Sequence, residues 1–92
     1  MNWIEQIVVR SLGNGWRPLK TGVIAPLLEN HGQTGLKEIT LYRNALVESD
    51  ACVHLKWELM VREPVKSDFG VGLAASLEEL GRVHHTIWIE EE

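Results

Sequence analysis

The sequence predicts an α+β domain with the element order β-α-β-β-α-β. Three observations predict it. From Ala51 to Arg62 every odd position is apolar and most even positions are polar, the period of a strand with one buried face. Trp16, Leu19, Val23 and Leu27, and again Phe69, Leu73, Leu77 and Leu80, recur at helical spacing. The polar step Glu48-Ser49-Asp50 between two alternating segments is short enough to make them an antiparallel hairpin.

Each element has its own signals. Trp3 to Leu12 reads as a strand, with Trp3, Glu5, Ile7 and Val9 on one face and Ile4, Gln6, Val8 and Arg10 on the other. Leu12-Gly13-Asn14-Gly15 is a turn by composition. A helix is expected from about Trp16 to Asn30, joined on its apolar side by Ile24 and Leu28, with Asn14 as its cap and Pro18 in its first turn. Pro26 opposes it by removing a donor and crowding the Gly22 carbonyl. A kink near Gly22, or a helix that begins there, is the expected response. His31-Gly32-Gln33-Thr34-Gly35 ends it.

Leu36 to Val47 is the second strand, with Ile39, Leu41, Ala45 and Val47 on one face, and Ala51 to Arg62 is the third. Centring the hairpin on Ser49 sets Asn44 opposite His54, Tyr42 opposite Lys56 and Thr40 opposite Glu58. Glu63-Pro64-Val65-Lys66 interrupts the third strand, and Ser67 or Asp68 caps the second helix. Gly81 stands where a left-handed C-terminal cap belongs, and Gly70 and Gly72 permit close helix-to-sheet packing. Val83 to Glu90 alternates again, and Glu90-Glu91-Glu92 is a solvated tail.

This order has a common solution, the ferredoxin-like sheet with strand order 4-1-3-2 and both helices on one face. Residues 1–92 make one such domain. The chain resembles the dimeric α+β barrel superfamily, which includes small antibiotic-biosynthesis-type monooxygenases and stress-responsive barrel proteins. The resemblance rests on length, element order and the pattern Ser67-x-x-Gly70-x-x-Leu73-x-x-x-Leu77-x-x-x-Gly81-x-Val83-x-His85-x-x-Trp88. It implies a homodimer. It also permits a cofactor-independent oxygenase that holds an electron-rich substrate between helices and sheet, where Trp3, Trp16, Trp57 and Phe69 stand as lining or as plain core. One fold hosts many functions, and no catalytic residue carries over.

Composition narrows the partners. The formal charge is −4 and the basic residues are dispersed, which opposes a nucleic-acid footprint. Arg10, Arg17 and Lys20 come closest to clustering. Cys52 is the only cysteine, so no intrachain disulfide forms and a cytoplasmic location is expected. No basic-then-apolar leader opens the chain and no apolar run nears ~18 residues, so neither signal peptide nor membrane span is expected.

If odd positions face the helices, arithmetic sets the open face. It holds Ile4, Gln6, Val8, Arg10, Thr40, Tyr42, Asn44, Leu46, Cys52, His54, Lys56, Glu58, Met60, His84, Thr86 and Trp88. So much apolar area marks an interface or ligand site. The expectation is a homodimer through this face, with a small-molecule ligand as a further partner. The ionisable candidates there are His54, His84, Tyr42, Lys56 and Arg10, and His85 is the candidate general base on the helix side. Their structural alternative is mutual satisfaction across a dimer, or, for His85, a satisfied core histidine. His54 and His84 have one strand between them, about 9–10 Å, too far for one metal ion. His31 lies at a helix end, where the dipole favours a cation. Glu5 and His85 fall about four residues apart, roughly 13 Å, and form no dyad. With no zinc spacing and no phosphate loop, no metal or cofactor is expected. Cys52 reads as a structural thiol and Trp57 as a core anchor. Three functions stay open: a homodimeric ligand-binding domain, an oxygenase-like enzyme, and an interaction or regulatory domain.

Overall fold

The computed structural model describes residues 2–58 and 64–91. Four strands, β1 (Trp3–Arg10), β2 (Leu36–Arg43), β3 (Ala51–Trp57) and β4 (Arg82–Ile89), form one antiparallel sheet in the order β2-β3-β1-β4. This is the expected ferredoxin-like order. The expectations for Leu59, Met60, Val61, Arg62, Glu63 and Glu92 concern positions outside the described residues.

The alternation sets the faces as expected. Trp3, Glu5, Ile7 and Val9 of β1 and Ala51, Val53, Leu55 and Trp57 of β3 are all buried. Against them lie Leu19, Ile24, Leu73, Ala74 and Leu77 from the helices. Trp3 and Trp57 pair across the two central strands with centroids 5.7 Å apart and planes at 15°.

The first helix meets the Pro26 conflict with a widened turn that contains Gly22. It runs as α1 (Trp16–Leu19), widens to a π-helical turn over Lys20–Ile24, and closes as α2 (Ala25–Glu29), with αR dihedrals at both junctions. In the wide turn the Ala25 amide donates to the carbonyl of Lys20, five residues back. That expansion moves the ladder off the carbonyl Pro26 would crowd, and Pro26 becomes a first-turn residue of α2. The cap is Gly15 at φ 74°, not Asn14.

The hairpin differs from its expected register by an even number of residues. Thr40 pairs with His54, Tyr42 with Cys52 and Glu38 with Lys56. The cause is Asn44, whose Oδ1 accepts from the amides of Leu46 and Val47 and ends β2 at Arg43. Ala45 and Val47 therefore leave the strand and are exposed. Faces survive, because an even slip keeps side-chain parity. At the start of β2 the register shifts between Leu36 and Glu38. Lys37, in the bulge, places its Nζ 2.7 Å from Oε2 of Glu58. The hydrogen bond from Lys37, then its charge, holds the Glu58 carboxyl below its ordinary range. The pair is exposed and adds little stability.

Helix α3 (Asp68–Leu77) starts at Ser67, whose Oγ accepts from the Gly70 amide at 2.8 Å. It ends before Leu80, which is 40% exposed. Gly81 is not a left-handed cap, since its φ is not positive. It is small because a Cβ there would collide with the backbone carbonyl of Arg10. Gly70 packs tightly on the sheet, whereas a Cβ at Gly72 would meet open space.

Candidate functional site

Glu5 is the one buried charged residue among the described residues, with a fully buried side chain. Strand alternation places it in the apolar row between Trp3 and Ile7, so burial demands partners. Trp57 donates Nε1–H to Oε2 at 3.0 Å. Ser67 donates its backbone N–H to Oε1 and its hydroxyl to Oε2, each at 2.6 Å. Ser67 thereby ties the carboxylate to the start of α3 while capping that helix. The carboxyl group lies against Gly70 in the first turn of α3.

The fourth partner is His85, with Nε2 3.2 Å from Oε1 of Glu5. This overturns the expectation that the two form no dyad. The β1–β4 register pairs Glu5 with Ile87 and Ile7 with His85. Glu5 and His85 are thus diagonal neighbours on one face, two positions apart rather than four, within reach of long side chains. The His85 side chain is 8% exposed. It lines a cleft of about 310 Å³ between α3 and β4, with Lys66, Val71, Ala74, Glu78 and Val83 around it. The expected helix-side candidate therefore stands at a cavity.

Some of the open-face candidates come together: Arg10 and Tyr42 line one pocket of about 290 Å³ with Gln6, Val8 and Cys52, and Lys56 lines another with Ile4 and Trp88. The Tyr42 ring packs on His54 at 4.7 Å and 57°. Burial lowers the His54 pKa from its ordinary value. Lys56 is paired in register with Ile4 and Glu38, His84 with Val8, and Arg10 with Arg82. Lys56, His84 and Arg10 are exposed. Trp88 is 55% and Tyr42 51% exposed. His31 lies beyond the helix and accepts the Gln33 amide on Nδ1 at 2.9 Å. Burial pushes the Cys52 thiol pKa up. Among the described residues no three of His, Cys, Asp and Glu gather to hold a metal ion, and no helix is long and apolar enough to cross a membrane.

Trp3 and Trp57 are core, as expected of Trp57, and leave no substrate space between them. Phe69 borders an apolar groove of about 490 Å³ with Val23, Leu27 and Leu73. Arg17, Lys20 and Arg43 gather around the Trp16 ring at 5.4–5.9 Å, so Arg17 and Lys20 do cluster as expected, with Arg43 in place of Arg10.

This chain shares its fold with Rv0793 from Mycobacterium tuberculosis. The TM-score is 0.67 over 100% of this chain and 97% of that one, at 14% identity. At that identity the likeness is one of fold. No family model and no curated protein matches the chain.

Sequence reasoning missed Glu5, Trp57 and Ser67 as one network. The signal was present. A glutamate in a row of buried apolar residues must find donors, and Trp57, Ser67 and His85 are polar groups on the same side of the sheet.

Proposed function

We propose that this chain is a cytoplasmic homodimeric domain of the dimeric α+β barrel type that binds a small molecule in the cleft over His85. One observation carries the reading: a fully buried carboxylate, Glu5, holds one imidazole that lines a cleft of about 310 Å³. That volume suits a small organic molecule. The open sheet face supports the dimer, because Trp88 and Tyr42 remain about half exposed there and the chain's own helices lie on the other side.

The two parts separate experimentally, since cleft and open face lie on opposite sides of the sheet. Sedimentation at micromolar concentration should give twice the 10.4 kDa monomer mass. A fragment screen followed by amide shifts should move Val71, Ala74 and Val83, and His85→Gln should remove those shifts while leaving the dimer intact. A monomer with a silent cleft would sink the proposal. The exposed aromatics favour one second reading, an interaction domain with no ligand, for which the dimer forms and the cleft stays silent.

A further inference from the structure

We propose that His85 is a general base that removes a proton from a carbon or oxygen acid seated in the cleft, with Glu5 as its positioning residue. This deepens the small-molecule reading and rests on it. Trp57 and Ser67 bring three donors to Glu5. The carboxylate is therefore held independently of the imidazole, and the imidazole is what it positions. A carboxylate only accepts, so the proton of a neutral His85 sits on Nε2, facing Oε1 at 3.2 Å. The lone pair is left on Nδ1.

Nδ1 makes no hydrogen bond to any described residue. The His85 ring lines the cleft. No serine, threonine or cysteine lines that cleft, so the hydroxyl and thiol nucleophiles of acyl transfer are missing there; Glu78 and Lys66 are its other ionisable groups, and proton transfer to the imidazole is the step the paired ring suits. Val71, Ala74 and Val83 give apolar walls that suit a small planar skeleton. Lys66 at the rim supplies a cation for an oxygen that becomes anionic. The substrate class is a small planar compound with an acidic C–H or O–H whose negative charge ends on oxygen.

The probe is 5-nitrobenzisoxazole, whose ring opening needs only a base. Nδ1 takes the proton from the ring carbon beside nitrogen. The C–H electron pair becomes the third bond of a nitrile, and the N–O bond breaks with its pair leaving on oxygen as a phenolate. The imidazolium returns its proton to water, and no oxidant or co-reactant enters. The wild-type dimer should open the probe faster than free imidazole at equal concentration. His85→Gln keeps a donor toward Glu5 but has no basic nitrogen, and should lose about 100-fold. Glu5→Gln should lower kcat more than KM. Nitrogen NMR should find neutral His85 as the Nε2–H tautomer in the wild type and as a mixture of the Nε2–H and Nδ1–H tautomers in Glu5→Gln, a change that a merely structural role does not produce. Amide shifts of Val71, Ala74 and Val83 report probe binding separately. Binding with turnover no faster than imidazole overturns the base and spares the ligand reading, whereas no binding overturns both. A wild-type imidazole protonated on Nδ1, or a His85→Gln variant as fast as wild type, also overturns the base.

Discussion

A Cβ added at Gly70 would stand 2.6 Å from Oε2 of Glu5. Helix α3 can approach β1 this closely only because residue 70 has no side chain, and that approach lets Ser67 reach the carboxylate. Gly70→Ala must move either the helix or a carboxylate held by three donors. The expected cost is about 1–3 kcal/mol, the range for overpacking. Gly72→Ala is the control. Its Cβ meets open space, so helix propensity alone should stabilise by about 0.5–1 kcal/mol. Urea denaturation of both variants checks the pair, and equal effects would count against the packing account.

Trp57 fills space and donates a hydrogen bond, and two variants separate the roles. Trp57→Ala should cost about 3–5 kcal/mol through transfer and cavity terms. Trp57→Phe keeps an aromatic against Trp3 and deletes the donor to Glu5, which retains Ser67. It should cost roughly 1–2 kcal/mol, the scale of one hydrogen bond plus a small volume change. A Phe variant as damaged as the Ala variant would show that the indole N–H, not the volume, dominates.

Acid should weaken the protein through His54. Burial lowers its pKa from 6.5, so the unfolded chain takes up this proton at a higher pH than the folded one. Well above pH 6.5 both states are neutral at this site and nothing is lost. As pH falls below that value toward the folded pKa, the unfolded state gains relative stability. A dimer that covers the open face desolvates His54 further, so the same acidification should favour monomers. Sedimentation at pH 7.5 and pH 5.5, with His54→Gln beside the wild type, checks this. An identical response in both proteins would remove His54 as the cause.

Cys52 should be a slow thiol. It is half-buried on the open face and its pKa is pushed up by burial, so little thiolate is present at neutral pH. Reaction with a disulfide reagent such as dithionitrobenzoate should run well below the rate of free cysteine. Labelling at the free-cysteine rate would refute the placement.

The parts of this fold legible in the sequence are those governed by parity. Alternation in β1 and β3 set every core and open-face position there, and the strand order followed from element order. What was not legible is what depends on tertiary offsets. The Asn44 turn moved the hairpin register, and the Glu5–His85 pair depended on whether two strands align at Ile87 or farther along. An error of two residues in that alignment separates a dyad from two unrelated side chains. The π-helical turn was hidden for a similar reason: the chain can meet Pro26 with a kink, a late start or a widened turn, and only packing of Leu19 and Ile24 together against the sheet selects among them. Gly81 was located correctly but for the wrong cause, because a clash with the Arg10 carbonyl leaves no trace in local sequence.

The shifted register at the start of β2 bears on how this chain tolerates changes of length. Leu36 is even-numbered yet buried against Trp57, while the even residues from Glu38 to Tyr42 sit on the opposite side. Lys37 is the extra step that lets both be true. Removing it would bring Leu36 directly before Glu38 in plain alternation, with the core unchanged and only the link to Glu58 given up. Removing Thr40 instead would invert every side chain on one flank of the gap. Two neighbouring codons therefore differ sharply in what a deletion does, and shorter forms of this chain are expected to break at the lysine rather than within the strand beyond it.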